Sequence, residues 1–146
     1  MADNLHILLN QSFATTFAFA LKAQNFHFNV EGPNFVEYHK IYDKIYNGTY
    51  ACLDDFAELI RAMSIYVPGN FEDLKILSKI EDTRNVPGSK EMLAILLNDC
   101  RILLQHLGIT YKTAEVANEP AMCALLGDVI RKIKKYEYLL VSASKP

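Results

Sequence analysis

The chain has 146 residues, of which 51% are hydrophobic and 22% charged. This composition is that of a globular protein and excludes an intrinsically disordered chain, and the length fits one domain over residues 1–146. With 15 lysines and arginines against 17 aspartates and glutamates, the net charge is −2. A global basic field for nucleic acid or an anionic membrane is therefore excluded.

The cysteines and the N-terminus bear on the compartment. Cys52, Cys100 and Cys123 are an odd set without a CxxC pair, which favours buried thiols in a reducing compartment over a disulfide framework. The N-terminus lacks a positively charged region, and polar residues 10–12 interrupt the apolar stretch behind it. We therefore expect no signal peptide, no transmembrane span and a cytoplasmic location.

Glycine and proline divide the chain into segments whose apolar residues recur with helical spacing. The first segment predicts a helix from about Asp3, its N-cap, to Val30. The second predicts a helix from about Asn34 to Ile65, opened by a capping box formed by Asn34 and Glu37.

Three more helices follow along the chain. A short one is predicted from about Asn70 to Ile80, a long one from about Ser89 to Ala117, and a last one from Pro120, which suits the first helical turn. Four long helices with short connections indicate an all-α antiparallel four-helix bundle, with a short extra helix in the crossover between the second and third long helices.

Four side chains of metal-ligand type lie on one stripe of the second helix. At 100° per residue, His39, Asp43, Asp54 and Glu58 fall within an arc of about 100°, nearly opposite the apolar stripe that faces the core. These side chains therefore point away from their own bundle.

Spacing along the helix separates these residues into two pairs. Asp43 and Asp54 are eleven residues apart, which is about 16 Å of helical rise, so one metal centre cannot use both pairs from one chain. In an antiparallel second copy crossing between Gly48 and Thr49, the pair His39/Asp43 of one chain would face Asp54/Glu58 of the other. Such a two-fold dimer would make two identical shared sites.

A fifth ligand candidate lies at the end of the first helix. His27 and His39 flank the Gly32-Pro33 turn at similar distances, so a helical hairpin places them at one height. Two histidines and three carboxylates without a thiolate suit iron, manganese or zinc. The same stripe is equally compatible with the solvated face of an ordinary amphipathic helix.

The turn and the ligands together resemble a known family. The resemblance is to the Dps-type mini-ferritins, the DNA-binding proteins from starved cells, within the ferritin-like superfamily. It is carried by the run His27-Phe28-Asn29-Val30-Glu31-Gly32-Pro33-Asn34-Phe35 followed by His39, Asp43, Asp54 and Glu58.

The resemblance implies a hollow homododecamer with ferroxidase sites at its two-fold interfaces. In that family His27, His39 and Asp43 come from one subunit, and Asp54 and Glu58 from its partner. Ferrous iron is expected first at Asp54 and Glu58 with His27, and a second iron at His39 and Asp43. Hydrogen peroxide or oxygen would oxidise both ions, and deposition of the ferric mineral in the cage would protect the cell from oxidative damage.

Three departures from the family pattern change these expectations. The usual tryptophan after the first histidine is Phe28, and the arginine that often follows the last glutamate is Leu59. The basic tails used for DNA are missing, so DNA binding is not carried over. For iron access through the shell, Glu119 and Asp128 are candidates, although lone carboxylates are more often surface charge.

The remaining residues of interest have structural interpretations. We expect all three cysteines to be buried, His6 and His106 to lie at the surface, and Gly48 to allow a neighbouring helix to approach closely. The tyrosines that recur every fourth residue are expected to be half-buried core or interface residues, namely Tyr38, Tyr42, Tyr46 and Tyr50.

Two alternatives to an iron-oxidising cage remain open. A structural or DNA-compacting assembly would need a basic cluster formed by Lys132, Lys134, Lys135 and Lys145, and it would bind DNA in a salt-sensitive way. A metal-binding bundle could hold zinc or manganese at the same residues without turnover.

Overall fold

A computed structural model describes residues 2–146, with side chains from residue 4 onward. The described part of the chain is helical and contains no strand. The α2 and α3 segments are two parts of one bent helix, so four long helices form the bundle and α4 lies in the crossover, which confirms the predicted fold class. The helices are α1 (Ala2–Asn29), α2 (Phe35–Ala51), α3 (Leu53–Ala62), α4 (Phe71–Leu77), α5 (Ser89–Val116) and α6 (Pro120–Ser144).

The core lies between the four long helices, and α1 is packed against α2, α3, α4 and α5. Aromatic rings join the first two long helices: the ring centroids of Phe13 and Phe56 are 5.9 Å apart, and those of Phe26 and Tyr42 are 6.0 Å apart. Both pairs have tilted, edge-on geometry, which aromatic rings favour in protein interiors. This packing fixes the C-terminal end of α1 against the start of α2.

Most helix boundaries lie where the glycines, prolines and capping residues predict them. The short helix α4 begins after Asn70, whose side-chain oxygen accepts a hydrogen bond from the Asp73 amide at 2.9 Å. It ends at Leu77, earlier than predicted, and Ile80 is buried beyond it. The side chain of Asp3, and with it the predicted first cap, lies outside the described residues.

The second long helix differs from its prediction in two ways. It is interrupted at Cys52 and ends at Ala62 rather than at Ile65. The predicted capping box is also wrong: Asn34 has φ −102° and ψ 23° and makes no side-chain cap. Its amide instead approaches the hydroxyl of Tyr38 at 3.5 Å, because this backbone conformation is not the extended one that a side-chain cap requires.

Burial corrects two further predictions. His106 is buried rather than at the surface, because α5 contacts both α1 and α6 and buries much of its circumference. Of the three cysteines only Cys100 is buried, whereas Cys52 and Cys123 are half-buried. The tyrosine stripe on α2 is buried or half-buried as predicted.

By length and composition α5 could cross a membrane, but its apolar residues pack in the bundle core. It also carries the buried carboxylate of Asp99, which forms an ion pair with Lys22 of α1. The Lys22 ammonium donates a second hydrogen bond to the Glu81 carbonyl in the crossover. The helix is therefore a core element of the bundle.

Candidate metal centre

The α1–α2 turn brings His27 and His39 together. Gly32 has φ +116°, a backbone conformation that favours glycine, and its carbonyl accepts the Phe35 amide at 3.1 Å as α2 begins. The two imidazole rings stack with centroids 3.8 Å apart and an angle of 19° between their planes. The prediction that the two histidines lie at one height is thus confirmed.

Reciprocal hydrogen bonds orient both histidines. His27 Nδ1 donates to the backbone carbonyl of His39 at 2.8 Å, and His39 Nδ1 donates to the carbonyl of His27 at 2.8 Å. A carbonyl oxygen can only accept, so each Nδ1 carries a hydrogen, and the neutral form of each ring has its lone pair on Nε2. A backbone carbonyl bonded to Nδ1 is a common way to orient a metal-binding histidine.

Asp43 lies one helical turn after His39 and completes this cluster. Its Oδ1 is 3.9 Å from Nε2 of His27. The Asn47 side-chain amide holds Asp43 from the next turn, donating to Oδ1 at 3.1 Å and to the backbone carbonyl at 3.0 Å. The three side chains His27, His39 and Asp43 are hereafter the histidine half-site.

Aromatic rings close the two sides of the histidine stack. The Phe35 ring lies 4.8 Å from the His39 ring, and the Tyr46 ring lies 5.2 Å from the His27 ring. Phe28, at the position where the resemblance expects tryptophan, is 66% exposed, with its ring 6.0 Å from that of His27. The imidazoles are thus shielded by neighbours of their own chain, while Phe28 faces outward.

Asp54 and Glu58 lie on α3, beyond the bend. Both are exposed, and neither makes a hydrogen bond or ion pair among the described residues. Glu58 borders a groove between α3 and α6 that also contains Asp55, Asp128 and Lys132. These two carboxylates, Asp54 and Glu58, are hereafter the carboxylate half-site.

Within residues 4–146 of one chain, no three histidine, cysteine, aspartate or glutamate side chains converge closely enough to hold a metal ion. One chain thus presents an ordered histidine half-site and a separate, open carboxylate half-site. The reciprocal histidine bonds were not predicted because they depend on backbone carbonyls across the turn. Asn47 could have been found from its position four residues after Asp43.

The structure also places the weaker candidates. Glu119 is half-buried at the start of α6, and Asp128 is exposed and paired with Arg131 at 3.0 Å. The lysines of the DNA alternative are partly engaged. Lys132 donates to the Gly48 carbonyl at 3.0 Å and Lys134 to Glu137 at 2.9 Å, while Lys135 and Lys145 are exposed.

Comparison with known proteins gives consistent results. The family model of the ferritin-like domain matches residues 7–142. A DNA protection during starvation protein from Brevibacillus brevis is 24% identical over 134 residues, covering 92% of this chain and 90% of the relative.

Solved structures share the fold. A Dps protein from Vibrio cholerae O1, described as a member of a broad superfamily of ferritin-like diiron-carboxylate proteins, superposes with a TM-score of 0.91 at 23% identity, covering 98% of this chain and 90% of that one. Dps from Thermosynechococcus elongatus gives a TM-score of 0.95 at 14% identity, with coverages of 99% and 92%.

Proposed function

This chain belongs to the ferritin-like family and is a Dps-type mini-ferritin, and from that premise we propose that it is a ferroxidase that stores iron. Two ferrous ions would be oxidised at each of two sites shared by a pair of chains, and the ferric product would be deposited inside a homododecameric cage. We propose further that residues 1–146 act as one domain, in the cytoplasm, in protection against oxidative damage.

The observation that carries this proposal is the histidine half-site. The two stacked imidazoles have their Nδ1 atoms bonded to carbonyls, which leaves Nε2 of each ring for a metal, and Nε2 of His27 lies 3.9 Å from Oδ1 of Asp43. With Asp54 and Glu58 of a second chain, the donor set becomes two imidazoles and three carboxylates, which suits iron. The Cys52 thiol is bonded elsewhere, since it donates to the Thr49 carbonyl at 3.0 Å, and burial raises its pKa.

Exposed apolar side chains support a second copy as the missing partner. Phe71 is 90% exposed and Ile76 is 71% exposed on α4, and Leu21 on α1 lines the groove beside them. Large exposed apolar side chains beside an apolar groove indicate a protein interface. An isologous dimer would cover this surface twice and complete two metal sites at once.

The chemistry follows from the donors. Asp54 and Glu58 would offer anionic oxygens to the first ferrous ion with His27, and His39 and Asp43 would hold the second. Each ion gives one electron to a single hydrogen peroxide molecule, which takes up two protons and leaves as two water molecules. Because the peroxide receives both electrons from a pair of ions, no hydroxyl radical is released. Oxygen could serve as the alternative oxidant.

Iron oxidation tests the proposal directly. Ferrous iron and then peroxide are added anaerobically to the native assembly, and ferric absorbance is followed. We expect oxidation well above the buffer rate, and loss of that acceleration in the double variant Asp54→Ala/Glu58→Ala. The matched control Glu91→Ala/Glu115→Ala removes two exposed carboxylates from α5 and should oxidise iron like the wild type.

The opposite results would reject the proposal. Oxidation at the buffer rate in the wild type, or undiminished oxidation in Asp54→Ala/Glu58→Ala, would exclude ferroxidase activity at these residues. Tight zinc or manganese binding without iron turnover would instead favour a metal-binding bundle.

A further inference from the structure

The bend between α2 and α3 separates the two half-sites along one helix. At Cys52 the backbone amide donates to the Thr49 carbonyl, three residues earlier, at 3.2 Å, instead of to the carbonyl four residues earlier as in a regular α-helix. Thr49 also donates its hydroxyl to the Ile45 carbonyl at 2.7 Å, a bond that tends to bend helices. The bend therefore has identifiable local causes.

The α6 helix contacts the bend at two points, one turn apart. The ammonium of Lys132 donates to the Gly48 carbonyl at 3.0 Å, so it occupies the acceptor that the Cys52 amide leaves. The buried Tyr136 packs against the same residue, since a methyl group at Gly48 would lie 1.8 Å from the Tyr136 hydroxyl oxygen. A hydrogen bond and a close contact thus tie α6 to one peptide group just before the bend.

The position of this contact matters for the shared site. In the proposed antiparallel dimer the two chains would cross between Gly48 and Thr49, so any change in the bend would act on both sites equally. Six residues of helix between Cys52 and Glu58 span about 9 Å, so a change of about 10° in the bend would move Glu58 by about 1.5 Å. Metal–ligand distances tolerate only about 0.2 Å.

We propose that Lys132 and Tyr136 are positioning residues, which set the α2–α3 bend so that the carboxylate half-site of one chain meets the histidine half-site of its partner. This inference rests on the proposed function. Neither residue needs to touch the iron, because both act through the backbone at Gly48.

Electrostatics alone predicts the opposite effect for Lys132. The lysine borders the same groove as Glu58, so removing its positive charge would strengthen cation binding at a site that depended only on charge. Positioning predicts weaker binding when the hydrogen bond to Gly48 is lost. The sign of the change therefore separates the two roles.

The test uses cobalt(II), a redox-inert probe here, added to the full-length native assembly and followed by calorimetry and visible absorption. We expect Lys132→Met to weaken cobalt binding about tenfold, as loss of supporting contacts does at other metal sites, and to alter the cobalt spectrum. Particle size should be unchanged. Lys132→Arg, which keeps a donor, should restore binding, and the control Lys135→Met should behave like the wild type.

A second pair of variants tests the contact with Tyr136. Gly48→Ala should weaken cobalt binding by forcing Tyr136 away, and adding Tyr136→Phe should recover part of it, because the clashing oxygen is gone. This pair decides the question if Lys132→Met does not fold.

Unchanged or tighter cobalt binding in Lys132→Met, with an unchanged spectrum, would overturn the inference while leaving the proposed function intact. A wild type that neither binds cobalt nor oxidises iron would overturn both.

Discussion

The histidine half-site and the carboxylate half-site occupy one bent helix but differ in how their geometry is fixed. His27 and His39 are stacked, bonded to each other's backbone and flanked by aromatic rings, whereas Asp54 and Glu58 are exposed without a protein partner among the described residues. The first half is ordered by its own chain. The carboxylate half-site would acquire its ligand geometry only from a partner chain. Substitutions in the histidine half-site should therefore lower both stability and metal binding, whereas substitutions in the carboxylate half-site should lower metal binding alone.

The largest effect on stability is expected outside both half-sites, at the ion pair Lys22–Asp99. It serves as a reference for the smaller effects expected within them. Asp99→Ala leaves the buried Lys22 ammonium without its counterion, which should lower the free energy of unfolding by about 3–5 kcal/mol. Urea denaturation at fixed protein concentration measures this. Arg131→Ala, which breaks the exposed pair with Asp128, should cost less than about 1 kcal/mol; equal losses would contradict the prediction.

Within the histidine half-site, His39→Ala should affect stability as well as metal binding. It removes the stacked ring and one of the two reciprocal hydrogen bonds, so we expect a loss of about 2 kcal/mol in unfolding free energy. The control His6→Ala changes a half-exposed histidine of α1 and should be nearly neutral. A loss in His39→Ala no larger than in His6→Ala would show that the half-site is not ordered by its own chain.

A buried histidine outside the half-site gives a pH test. Burial lowers the pKa of His106 below its ordinary value, the Lys79 charge adds to this, and the hydrogen bond to the Leu8 backbone opposes it. Its Nε2 has no partner among the described residues. Because the folded state disfavours the protonated form of His106, this residue makes the free energy of unfolding depend on pH. Its contribution is fully present above pH ~6.5 and is lost as the pH falls below that value.

The measurement is the free energy of unfolding from pH 8 to pH 5. The wild type should lose up to about 1.4 kcal/mol per pH unit below pH ~6.5 through this one group. His106→Gln should not show this loss of unfolding free energy, while the contributions of all other titrating groups stay the same. Parallel curves for the two proteins would contradict the prediction.

The smallest stability effect is expected at the carboxylate half-site. Asp54→Asn and Glu58→Gln should each change the unfolding free energy by less than about 0.5 kcal/mol in metal-free buffer with a chelator. Adding cobalt(II) should then raise the melting temperature of the wild type but not of the variants, because only the wild type binds the ion in its folded state. A large loss without metal would mean that these carboxylates have structural roles.

Much of the fold could be predicted from the sequence because the signals that start and end its helices come from residues close together in the chain. Residues such as Asn70 and Pro120 mark helix starts through their own caps and conformations, and the similar distance of His27 and His39 from the turn predicted their proximity. Gly48, on the core side of its helix, was predicted to allow a close approach, and Tyr136 makes that approach.

What could not be predicted depends on contacts between distant residues. The bend at Cys52 involves Lys132, which is 84 positions from the Gly48 carbonyl that it binds. Helical periodicity cannot reveal a contact between residues so far apart in the sequence. The burial of His106 likewise depends on which helices surround α5 rather than on its neighbours in sequence. In the proposed dimer the geometry between the two half-sites would belong to a pair of chains, so the structure of one chain does not contain it.

The central claim is that each site takes its two half-sites from different chains, and mixed assemblies test it most directly. Chains carrying His39→Ala/Asp43→Ala are unfolded, mixed in equal amounts with chains carrying Asp54→Ala/Glu58→Ala, refolded together and assayed for iron oxidation with peroxide. Each double variant alone should be inactive.

In a mixed dimer, one site combines two damaged half-sites and the other combines two intact ones. Random pairing makes half of the dimers mixed, so about a quarter of wild-type activity should return if each site is shared across a two-fold axis. No recovery in mixed assemblies of native size, with the unmixed wild type active after the same refolding, would contradict a shared site.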